Sequence, residues 1–229
     1  MHNPHADESP FNAVPAVVVA LAMVIAAVEI VLQLGESGLA GGAQAIGWRL
    51  AALEDYGFLP AVWEFMRTTG QFPGEQMLRF VSYPFLHGSF THAAFAVVIV
   101  LAIGKAVGEI FAAWAVLAVF FVSSVFGALV YGELVSVNVP LIGAYPGGYG
   151  LIGAFTFLLW VQLAAVGANT MRAFTLIGFL LAFQLVFGIF FGAGYDWIAD
   201  VAGFIAGFLL SFIVSPGGWA RVVAKLRRD

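Results

Sequence analysis

Gly143-Ala-Tyr-Pro-Gly-Gly-Tyr-Gly-Leu-Ile-Gly-Ala154 gathers a proline and several glycines between long apolar runs. Pro146 cannot continue a helix that precedes it, and Gly147-Gly148 permits a tight turn. The stretch predicts a break here, with Tyr149 on or just before the N-terminus of a new apolar helix. Gly150 and Gly153 follow at i+1 and i+4, small enough to let a second helix come close. A later stretch supplies the counterpart, Asp200-Val-Ala-Gly203-Phe-Ile-Ala-Gly207. Its Asp200, Gly203 and Gly207 fall at i, i+3 and i+7, on one helix face.

The setting of both stretches is a membrane. The chain of 229 residues is 62% hydrophobic and only 10% charged, with a mean hydropathy of +0.99. That composition excludes an ordinary soluble domain and supplies several spans. A net charge of −4 without a basic stripe gives no reason to expect a nucleic-acid partner. The absence of cysteine removes disulfides, thiolate metal sites and cysteine nucleophiles together.

Working outward, six spans are expected, each near the ~20 residues that cross a bilayer. They run from about Ala13 to Leu34, Pro84 to Gly108, Phe111 to Leu134, Tyr149 to Gly167, Ala173 to Phe191 and Trp197 to Val214. The membrane domain thus covers 13–214, between a polar tail at 1–12 and a basic tail at 215–229. Glu29 is the single charge in the first span and is expected to reach toward the interface. The long loop 35–76 mixes Glu36, Arg49, Glu54, Asp55, Glu64, Arg67 and Glu75 with Trp48, Phe58, Trp63, Phe65 and Phe72. Such a mixture predicts short amphipathic helices at a membrane surface.

Basic residues set the orientation. Six of the nine, namely Lys105, Arg172, Arg221, Lys225, Arg227 and Arg228, fall on the side of the two tails. Both termini are therefore expected in the cytoplasm. Spans two, four and six then start at the outer face, which brings His87, His92, Tyr149 and Asp200 to similar depth.

The two opening stretches resemble the core of the rhomboid family of intramembrane serine proteases. In that family a Gly-x-Ser-Gly turn carries the nucleophile and a His-x-x-Gly-x-x-x-Gly helix its base. Here Gly147-Gly148-Tyr149-Gly150 puts tyrosine in the serine place, and Asp200 stands for the histidine ahead of Gly203 and Gly207. His87-Gly-Ser-Phe-Thr-His92-Ala-Ala-Phe-Ala96 is similar to the family's His-x4-His-x3-Asn oxyanion segment, with Ala96 in the asparagine place. Gly104 and Glu109 correspond to a Gly and a Glu that follow, with one extra residue of spacing. Leu78-Arg79 stands where the family has Trp-Arg. The resemblance implies an all-α, six-helix membrane bundle with a partly embedded first loop, in the setting of a bacterial inner membrane.

The family's serine–histidine pairing across spans four and six is excluded by counting. The chain has no serine between Ser136 and Ser211, and no histidine after His92. A serine on span four cannot pair with a histidine on span six. Tyr149 is a poor nucleophile, since a free phenol ionises only near pH 10, and Asp200 is a poor base for it. An aspartyl mechanism needs two carboxylates sharing a proton, and Asp196 lies one turn nearer the interface. His87 and His92, at i and i+5, do not form the usual one-face metal pair. No metal and no cofactor is expected. The expected replacement for the dyad is a Tyr149–Asp200 hydrogen bond, with His92 as a further donor. Inactive rhomboid relatives bind transmembrane segments of other proteins, so such segments and the bilayer are the implied partners. The rival readings are an intramembrane protease that cuts with unusual residues and a small transporter or channel.

Overall fold

The computed structural model describes residues 13–191 and 194–218. The expected tail 1–12, the basic residues from 219 onward and Gly192 lie outside them. The described residues form nine α-helices: α1 (Ala16–Glu36), α2 (Trp48–Tyr56), α3 (Pro60–Thr69), α4 (Gly74–Ser82), α5 (Phe90–Gly108), α6 (Ala113–Leu134), α7 (Tyr145–Ala165), α8 (Thr175–Phe191) and α9 (Asp196–Val214). Five of them, α1, α5, α6, α7 and α9, are long and apolar enough to cross a bilayer. The described part of α8 is equally apolar but 17 residues long.

Two helix starts differ from expectation. Pro146 does not mark a break; it sits in the first turn of α7, which begins at Tyr145. Proline is at home there, because first-turn N–H groups have no intrahelical acceptor to lose. Gly147 and Gly148 are helical, and Tyr149 falls in the second turn. The sharp turn lies earlier, at Gly143, whose φ of 95° suits glycine alone. The second span begins at Phe90 rather than near Pro84. Ser89 caps it, its hydroxyl accepting the His92 N–H at 3.2 Å. His87 therefore precedes the helix instead of lying on it.

Glycines set the packing of the bundle. Lipid tails are as apolar as the side chains, so helices associate through close contact rather than through the hydrophobic effect. A Cβ on Gly203 would run into the Pro146 carbonyl, and one on Gly207 into the Gly150 carbonyl. A Cβ on Gly153 would strike the backbone of Phe204 in return, and one on Gly150 the Ser123 side chain. One on Gly147 would sit 2.6 Å from the Phe120 ring. Helices α6, α7 and α9 are thus in near-backbone contact. Gly104 does the same on the other flank, where a Cβ would stand 2.8 Å from Val18 of α1.

The loop 35–76 folds into short helices, as expected, and three of the places that pin it bear on the site. Phe58 and Leu141 exchange two backbone hydrogen bonds of 3.1 and 2.8 Å, tying the loop to the α6–α7 connection. Arg79, in the place of the expected Leu78-Arg79 pair, donates at 2.7 Å to the carbonyls of both Glu54 and Gly57. These carbonyls close the C-terminal end of α2, where a cation is favourable. Arg79→Ala should speed amide exchange at residues 53–58 about tenfold, from the loss of charge-assisted bonds at a half-exposed site. Unchanged exchange there would show that Arg79 does not hold this end.

The third pin corrects the reading of Glu29. Its side chain is 3% exposed and does not reach for the interface. Arg49, from α2, comes to it instead, with bonds of 3.0 and 2.8 Å to the two carboxylate oxygens. The same guanidinium donates to Glu36 at 2.8 Å, to the Gln33 amide oxygen at 3.3 Å and to the His87 carbonyl at 2.6 Å. A carboxylate inside a span needs a partner. The loop provides one and is bound to α1 and to the His87 turn by doing so.

Candidate functional site

The expected residues meet where the starts of α5, α7 and α9 converge. His87 is fully buried in the turn before α5. Its Nε2 accepts the Ala144 N–H at 3.3 Å, which caps the start of α7. Burial, reinforced by the neighbouring His92, pushes the imidazole down to about 4. It is neutral at physiological pH, as an acceptor must be. His92 lies 5.2 Å away, ring to ring. Its Nδ1 accepts the Gly88 N–H at 3.3 Å, which leaves the proton on Nε2. Its ring stacks on Tyr145 with centroids 4.9 Å apart, and Tyr145 donates to the His92 carbonyl at 3.1 Å. Ala96 is buried in the main core and offers only a methyl.

Tyr149 and Asp200 share the seam beside them. Asp200 lies one turn before Gly203, which packs on Pro146, so it faces the start of α7. Tyr149 is buried in a cluster with Ile152, Ile177 and Phe204. The expected Tyr149–Asp200 hydrogen bond is not formed. Asp200 Oδ2 accepts instead from Gln184 Nε2 of α8 at 2.8 Å. Among the described residues the Tyr149 hydroxyl makes no hydrogen bond, and Asp200 Oδ1 and Gln184 Oε1 are buried without a partner.

Three contributors were not singled out from sequence: Gln184, Tyr145 and Arg49. An amide amid the apolar residues of span five was a signal for the first. A buried Glu29 calling for a cation was a signal for the last.

Asp196, at the start of α9, is exposed, whereas Asp200 is 2% exposed; these are not two carboxylates in one environment. Among the described residues no cluster of three His, Asp or Glu side chains could hold a metal. The arrangement offers one ring N–H on His92, an unengaged phenol and a carboxylate with one free oxygen.

The Rhomboid domain model matches residues 74–217, well over half of the chain. The chain belongs to the rhomboid family. No curated protein matches it. The matched segment of this rhomboid runs from α4 through α9 and contains His87, His92, Tyr145, Tyr149, Gln184 and Asp200, with Arg49 lying ahead of it. With five apolar helices of spanning length, it is a multi-pass membrane protein.

Proposed function

We propose that this rhomboid is a pseudoprotease that binds transmembrane segments of client proteins without cutting them. One observation carries the reading. The positions equivalent to the nucleophile and its base hold Tyr149 and Asp200, and Asp200 is engaged by Gln184 rather than by a nucleophile. Cleavage needs an activated nucleophile within reach of a base, and oxyanion donors. Tyr149 makes no hydrogen bond to Asp200, His87 is occupied as an acceptor, and Ala96 cannot donate.

In this reading α8 is the sixth span, its 17 described residues making about 25 Å of helix. Both termini face the cytoplasm of a bacterial cell, following the basic residues. The short helices α2 to α4 rest in the outer leaflet. Clients enter between α5 and α8. Past Leu181 the described α8 side chains Val186, Ile189 and Phe190 are exposed, which makes α8 the wall most easily moved.

The test is turnover of a fluorogenic transmembrane substrate in proteoliposomes. The native protein should show binding without cleavage. The Tyr149→Ser, Asp200→His double variant should gain cleavage if the scaffold alone separates this chain from an active protease. Cleavage by the native protein that Asp200→Ala abolishes would overturn the reading and favour a protease with unorthodox residues.

A further inference from the structure

The seam between α8 and α9 leaves two buried acceptors unpaired. Asp200 Oδ1 and Gln184 Oε1 are both buried and unpartnered, while the other atoms of the same two groups bond each other at 2.8 Å. Tyr149 lines this seam beside Ile177, Leu180 and Leu181 of α8 and Phe204 of α9. Of the five described basic residues, four are committed elsewhere, and Arg172 lies in the turn ahead of α8. Arg49 pairs with Glu29 and Glu36, Arg67 with Glu133 and Lys105 with Glu109. Arg79 binds carbonyls. Among the described residues no cation faces Asp200. Buried acceptors without donors are costly, and an aspartate in a span normally has a partner.

We propose that Asp200 Oδ1 and Gln184 Oε1 receive the side chain of a lysine or arginine carried in the outer half of a client's transmembrane segment. This rests on the client-binding reading and specifies which clients it selects. Lysine and arginine are donors only, so they can fill several acceptors without bringing a new orphan. A basic residue within a span also lacks a partner until it meets a carboxylate, so the deficits of client and site are complementary. Access requires α8 to move aside past Leu181, where the Gln184–Asp200 bond joins it to α9. An incoming ammonium or guanidinium meets both members of that bond at once. An apolar client would have packing alone to offer.

The experiment uses three labelled transmembrane peptides, identical except for lysine, norleucine or glutamate at one outer-half position. Their binding to the full-length protein in liposomes is read by energy transfer. The native protein should bind the lysine peptide about tenfold more tightly than the norleucine one, with the glutamate peptide weakest. Asp200→Asn, nearly the same shape, should bring lysine and norleucine to within about twofold, and Gln184→Leu should reduce the preference only in part. Equal binding of all three peptides by the native protein would overturn this site while leaving client binding intact. A lysine preference that survives Asp200→Asn would also overturn it. Absence of binding by every peptide would overturn the client reading and this site with it. The comparison on the native protein decides even where a variant fails to fold.

Discussion

Arg49→Ala is expected to lower stability by about 3–5 kcal/mol, read as a fall in the unfolding midpoint in detergent. The substitution leaves Glu29, 3% exposed, without its two guanidinium bonds in the middle of an apolar helix. It also frees Glu36, Gln33 and the His87 carbonyl, so the turn that caps α7 loosens with the loop. Removing one member of a buried pair costs more than the pair contributes, because the remaining charge has no compensation. The double variant Glu29→Leu, Arg49→Met should therefore recover most of the loss. An Arg49→Ala midpoint equal to that of the native protein would show that Glu29 finds another partner and that the loop is held elsewhere.

Gly207→Ala should cost about 3 kcal/mol, the upper part of the range for overpacking, and Gly207→Leu should prevent stable folding. The new Cβ would run into the Gly150 carbonyl, a backbone atom that cannot rotate away. Gly178→Ala provides the control. It lies in α8, where a Cβ meets nothing within 4 Å, and its loss of a flexible glycine should leave stability unchanged or slightly raised. Thermal unfolding of the three variants side by side checks both. Equal midpoints for Gly207→Ala and Gly178→Ala would mean that α7 and α9 are not in backbone contact.

Much of this architecture was legible before any coordinates. Hydropathy marks the spans, and small residues three or four apart mark the faces of α7 and α9 that touch. The boundaries were less legible. Pro146 suits the first turn of a helix as well as a break, and nothing local to the stretch separates the two. The place of His87 depended on recognising Ser89 as a cap. The site was legible as positions rather than as bonds. Tyr149 and Asp200 do face one seam, but the donor that reaches Asp200 comes from Gln184 on a third helix. Glu29 shows the same limit. Its partner, Arg49, lies in a loop whose charges looked like ordinary solvated ones.

The Glu29–Arg49 pair also constrains how the protein is made. Glu29 leaves the ribosome before Arg49, so α1 reaches the bilayer carrying a carboxylate whose counterion has not yet docked against it. Its insertion is opposed by ~2.5–3.5 kcal/mol, the penalty for such a residue near the centre of an isolated helix. That deficit ends only when the loop has folded back and Arg49 has docked. The first helix is thus held in place by chain synthesised after it. Completion of the bundle, rather than the apolar character of α1 alone, makes its insertion final.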